Sequence, residues 1–112
     1  MSKITTHVLD VSMGKPAAGI PVTLEAKRQD ANWSAIGKGI TDKDGRVADL
    51  LSEERLSAGV YRLTFDTAAY LSKGRNAFFP QVSVVFNVED LSQHYHIPLL
   101  LSPFGYSTYR GS

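Results

Sequence analysis

Cysteine is absent from this chain. Its absence excludes disulfides, thiolate nucleophiles and cysteine-ligated zinc. Long apolar runs are missing as well. No stretch reaches the roughly 18 apolar residues of a membrane-spanning helix. The opening Met1-Ser2-Lys3-Ile4-Thr5-Thr6-His7 has no apolar core of the kind a secretory signal carries. A cytoplasmic protein with no membrane partner is therefore expected. Charge of one sign is also lacking: twelve Lys and Arg face eleven Asp and Glu, with no basic run. That balance argues against a nucleic-acid partner. There is no glycine-rich phosphate loop, no Gly-x-Ser-x-Gly elbow and no repeat period.

What is present fits one domain over residues 1–112 with an ordinary 43% apolar content. Short β-branched, aromatic or alternating runs recur at 4–11, 20–28, 33–41, 46–47, 60–66, 81–88, 94–101 and 106–110. Glycine, proline, Asn and Asp separate them, most sharply at Asp44-Gly45. Residues 48–57 read as loop with at most a helical turn. One short helix is expected from Thr67 to Lys73, capped by Asp66 or Thr67 and ended by Gly74. Short strands with turns at this spacing predict an all-β sandwich. Pro98 falls inside a strand, so it belongs at a bulge or on an unpaired side. The last hairpin is unusually apolar, with Leu99-Leu100-Leu101 followed by Phe104. Exposed, such a strand would need a second subunit to cover it, so a homo-oligomer is expected.

Few residues are left to carry chemistry. Asp42, Asp44, Glu53 and Glu54 fall in turns or loops and read as solvated. Three histidines remain, with some arginines and the chain end. Strand alternation puts His7 on the face of Thr5 and Leu9. His94 and His96 are two apart and share a face in an ideal strand. With His7 they could ligate zinc, though no carboxylate or cysteine lies nearby to complete the set. As neutral imidazoles they could instead act as general acid and base. Arg46 follows a tight turn, either as a solvated side chain or as the fixed cation of an anion site. Tyr109-Arg110-Gly111-Ser112 is either a solvated edge or part of a site.

Taken together, His7-Val8-Leu9-Asp10, Gly19-Ile20-Pro21-Val22, Asp44-Gly45-Arg46, Phe79-Pro80, the run from His94-Tyr95-His96 to Ser102-Pro103, and terminal Tyr109-Arg110-Gly111-Ser112 resemble one family. It is the transthyretin-related 5-hydroxyisourate hydrolases. The terminal tetrapeptide is specific, since the hormone-carrying transthyretins lack it. The resemblance implies a transthyretin-like sandwich of two four-stranded sheets and a homotetramer built as a dimer of dimers, with active sites at the mouths of a central channel. It implies hydrolysis of 5-hydroxyisourate at a cyclic amide, without cofactor or metal, to 2-oxo-4-hydroxy-4-carboxy-5-ureidoimidazoline. The site it implies is His7, Arg46, His96 and the tail from Tyr109 through Arg110 and Gly111 to Ser112. The histidines would position and deprotonate water. Arg46 would hold substrate and stabilise the oxyanion, and Tyr109 would line the pocket. Ser112 would orient a histidine or the water through its hydroxyl or carboxylate, and an extension beyond it should crowd the pocket. His94 is expected to be structural or to stand outside the first layer of contacts. The rival reading is a small-molecule carrier of the same fold.

Overall fold

The computed structural model describes residues 2–51, 55–71 and 78–111. Expectations that fall on Glu53, Glu54, Lys73, Gly74 and Ser112 lie outside them.

Among the described residues ten short elements follow in order. They are β1 (Ile4–Asp10), β2 (Lys15–Pro16), β3 (Pro21–Lys27), β4 (Trp33–Ile40), β5 (Arg46–Val47), β6 (Gly59–Phe65), α1 (Thr67–Leu71), β7 (Val82–Val88), β8 (Tyr95–Ser102) and β9 (Gly105–Thr108). One sheet runs β4-β3-β6-β7. The other runs β2-β1-β8-β9, with β5 also paired to β1. Since β8 covers one edge of β1 along its whole length, β2 and β5 share the other edge, β2 near Asp10 and β5 near His7. The expected two sheets of four strand positions are thus present, one position being filled by two short strands.

Alternation builds the core. Ile4, Val8, Leu24, Leu63, Phe65, Leu99 and Leu101 point between the sheets and are buried. Each such side chain stabilises the fold by about 1.5–3 kcal/mol. Leu99 and Leu101 correct an expectation. They fill this chain's own core, and of the apolar hairpin it is Phe104 that is widely exposed. Two inward-facing polar groups find partners: Thr6 Oγ1 donates to the Ile97 carbonyl at 2.6 Å, and Asp10 accepts from the Tyr70 hydroxyl at 2.7 Å. Asp66 caps α1, accepting from the Ala69 amide at 3.2 Å.

Pro98 disturbs no ladder. Its carbonyl accepts from Thr108 Oγ1 at 2.7 Å, on the side away from β1. Its nitrogen points the same way, into the gap between the end of β9 and the bridge of His96 to Gly111.

Candidate active site

The outward face of the β1–β8 sheet collects the candidate residues. The parallel register sets Thr5 beside His96, and the antiparallel register sets His7 opposite Arg46. Neighbours in register share a face. His7, Thr5, His96 and Arg46 therefore form one outward patch drawn from three strands. Thr5, Arg46, Val47, His94 and His96 line an open groove of about 200 Å³.

The turn before β5 fixes Arg46. Asp42 accepts from the Asp44 and Arg46 amides at 2.9 and 3.0 Å. These bonds, the one from Arg46 foremost, hold the Asp42 carboxyl below its usual range. Gly45 is required twice over. Its φ is +76°. A Cβ there would also stand 2.4 Å from the Val8 carbonyl oxygen. The Gly45 carbonyl in turn accepts from the Val8 amide at 2.7 Å, which ties β5 against β1.

His96 sits at the centre. Its Nδ1 is 2.8 Å from Thr5 Oγ1, and the same oxygen is 3.1 Å from His94 Nε2. The two imidazoles lie nearly parallel, at 19° with centroids 6.4 Å apart. His94 thus does share the face, just ahead of β8. Burial lowers the His96 pKa below the ordinary histidine value, and the nearby charges of His7, His94 and Arg46 lower it further. A hydrogen bond to the Thr5 main chain works the other way. His96 is therefore a neutral imidazole at physiological pH, able to accept a proton.

The tail closes over this ring. The Gly111 amide donates to the His96 carbonyl at 2.8 Å. A Cβ at Gly111 would stand 2.6 Å from His96 Cδ2. Only glycine lets the backbone lie this close. Arg110 is not brought to the patch. Its guanidinium lies 4.6 Å from the centroid of the Tyr95 ring and donates to Gln93 Oε1 at 2.6 Å. Neighbouring strand residues point to opposite faces, so Arg110 grips the side of β8 away from the His96 ring. Tyr109 is exposed and lines a separate, largely apolar cavity of about 150 Å³ with Val84, Phe86 and Tyr95. His96 borders both spaces. Ser112 lies outside the described residues.

Sequence reasoning missed Thr5 as a bridge and Gln93 as the anchor of Arg110. Alternation had put Thr5 on the His7 face, but its contact with His96 needs the pairing of β1 with β8. Among the described residues no three His, Asp or Glu side chains are grouped to hold a metal. The described helices include none long and apolar enough to cross a membrane.

A family model for the HIUase/Transthyretin family matches residues 4–111. The chain belongs to that family. A 5-hydroxyisourate hydrolase of Salmonella dublin is 46% identical over 110 residues, 97% of this chain and 80% of the relative. Two solved structures show that the fold is common to both branches of the family. Sea bream transthyretin in complex with thyroxine superposes with a TM-score of 0.94 at 36% identity, covering 98% of this chain and 95% of that one. Klebsiella pneumoniae 5-hydroxyisourate hydrolase superposes with a TM-score of 0.83, also at 36% identity, covering 97% and 98%. Backbone shape therefore does not separate carrier from hydrolase. The site residues must.

Proposed function

We propose that the chain is a 5-hydroxyisourate hydrolase of urate catabolism, using water to open a cyclic amide and giving 2-oxo-4-hydroxy-4-carboxy-5-ureidoimidazoline. The observation that carries this reading is the outward patch. A neutral His96 with a second histidine, His7, and a fixed cation, Arg46, is a polar constellation that an apolar carrier channel does not need. Curated relatives named as 5-hydroxyisourate hydrolases, that of Salmonella dublin among them, support it.

Opening the ring needs a nucleophilic water, a stabilised oxyanion and a proton for the departing nitrogen. In this reading His96 takes the proton from water through Nε2. That atom has no hydrogen-bond partner among the described residues, while Nδ1 is held by Thr5. Arg46 holds the planar, oxygen-rich substrate and offsets the charge that develops on the carbonyl oxygen. His7, opposite Arg46, helps to position the water. The proton on His96 then passes to the ring nitrogen as the amide bond breaks. Gly111 fixes the His96 ring, and Tyr109 lines the approach. Arg110 anchors the tail through Gln93 and Tyr95 and shares with Tyr109 the cavity that His96 borders. The role proposed for Ser112, from the family resemblance, is to orient a histidine or the water. No cofactor enters the reaction.

The working form proposed is a homotetramer, a dimer of dimers, made from this one domain and set in the cytoplasm. Support for assembly comes from β7 and β9, each the edge of its sheet, and from exposed Val85, Phe104 and Tyr106.

The test compares His7→Asn and His96→Asn with the parent protein for decay of 5-hydroxyisourate generated by uricase. Both variants should fall towards the spontaneous rate while remaining folded. Two variants at full parental rate would remove the assignment. Full activity in EDTA is expected, and its loss would favour the zinc reading.

A further inference from the structure

One hydroxyl joins two imidazoles in this site. Thr5 Oγ1 is 2.8 Å from His96 Nδ1 and 3.1 Å from His94 Nε2. A hydroxyl has one proton to give and can accept others. With the Thr5 proton lying between two neutral histidines, as a proton relay requires, the bonds run in one direction, as a chain. Either His96 donates to Thr5 and Thr5 to His94, or the reverse.

The charges around the ring choose between them. With Nδ1 held towards β1 and Cδ2 under Gly111, the far edge of the His96 ring carries Nε2. Arg46 lines the same groove. A lone pair on that edge is stabilised by the guanidinium, whereas an N–H there is opposed by it. Nδ1 therefore carries the proton in the resting site. His94 lies at the outer end of the chain and is exposed to water.

We propose that Thr5 and His94 are positioning residues for hydrolysis: Thr5 holds His96 as the Nδ1–H tautomer with Nε2 free, and His94 receives the proton that His96 passes on. The inference rests on the hydrolase reading above. The step balances. Water gives a proton to His96 Nε2 as its oxygen bonds to the amide carbon. His96 Nδ1–H passes to Thr5, and the original Thr5 proton passes to His94 Nε2. The positive charge thereby leaves the ring facing Arg46 and His7 for one in contact with water. When the amide bond breaks, His96 Nε2–H protonates the departing nitrogen. The chain runs backwards in the same step, His94 returning its proton through Thr5 to His96 Nδ1, so that the ring is never left as an anion. The protein ends unchanged, and the substrate has gained one water.

The test begins with nitrogen NMR of the His96 ring in the substrate-free protein. It needs no turnover, so it stands even if the hydrolase reading fails, and parental turnover of 5-hydroxyisourate checks that reading separately. The expected spectrum has Nδ1 protonated and Nε2 unprotonated, and the opposite tautomer overturns the proposal. Thr5→Val keeps the side-chain shape but removes the bridge. By removing the acceptor of Nδ1–H it should raise the share of the Nε2–H tautomer against the pull of Arg46, and lower kcat by roughly tenfold or more, with KM within about twofold. Thr5→Ser should restore both. An unchanged tautomer and kcat in Thr5→Val, or no rescue by Thr5→Ser, contradicts the bridge. His94→Gln can still accept from Thr5 but cannot take up a proton. It should keep the His96 tautomer and lower kcat, and parental kcat in that variant contradicts the relay.

Discussion

The tail is tested most sharply by Gly111→Ala. The added Cβ would stand 2.6 Å from His96 Cδ2, 3.3 Å from its Cγ and 3.2 Å from Pro98 Cγ. Carbon atoms rest at about 3.5–4.0 Å, so ring and tail must separate by roughly 1 Å. Gly111 joins the sheet by a single isolated bridge, so the easier response is for the tail to lift. That gives up the 2.8 Å bond from the Gly111 amide to the His96 carbonyl. One such bond contributes about 1 kcal/mol, and replacing glycine returns about 0.4–1 kcal/mol through the unfolded chain. Net stability should therefore change by less than about 1 kcal/mol in urea unfolding. The rate should respond far more, since a displacement of about 1 Å in a catalytic group costs on the order of 100-fold. The assay is decay of 5-hydroxyisourate above its spontaneous background. A folded Gly111→Ala protein with the parental rate would refute the claim that the tail positions His96.

Further outcomes follow from the same geometry. Because the His96 pKa is lowered, kcat/KM should hold through neutrality and begin to fall only below about pH 6.5. The unfolded chain binds this proton more readily, so His96 subtracts stability as pH falls below about 6.5, and His96→Asn should flatten that part of a stability–pH curve measured by denaturant unfolding. Gly45→Ala should destabilise by about 2 kcal/mol or more and depress the rate, because both its φ of +76° and the Val8 carbonyl oppose it. Gly14→Ala is the control: φ is +66° but the added Cβ meets nothing within 4 Å, so only strain of about 1 kcal/mol and an unchanged rate are expected. Arg110→Ala should lower the rate by freeing the tail from Gln93 and Tyr95, and Arg110→Lys should not restore it, since an ammonium cannot both stack and fork.

Local chemistry made much of this fold readable. Asp44-Gly45 announced the turn that aims Arg46, and the alternation of β1 separated Thr5 and His7 from the inward Ile4, Thr6 and Val8. Pro98 announced an unpaired side. What stayed hidden depends on long-range pairing. The β1–β8 ladder joins residues about ninety positions apart, so nothing local to Thr5 points to His96 or His94. The leucines of β8 read as an exposed apolar strand because their run does not say which members face the core. The contacts of Arg110 were hidden for the same reason, since Gln93 and Tyr95 lie far from it in sequence. Its direction was set by Tyr95, which faces the opposite side of β8.

The central claim is that this member of the family is a hydrolase and not a carrier. One measurement addresses it directly: decay of 5-hydroxyisourate with and without the purified chain, beside equilibrium binding of thyroxine. The account predicts decay well above the spontaneous rate and no carrier-like binding of thyroxine. Decay at the spontaneous rate by a folded protein that binds thyroxine would contradict it.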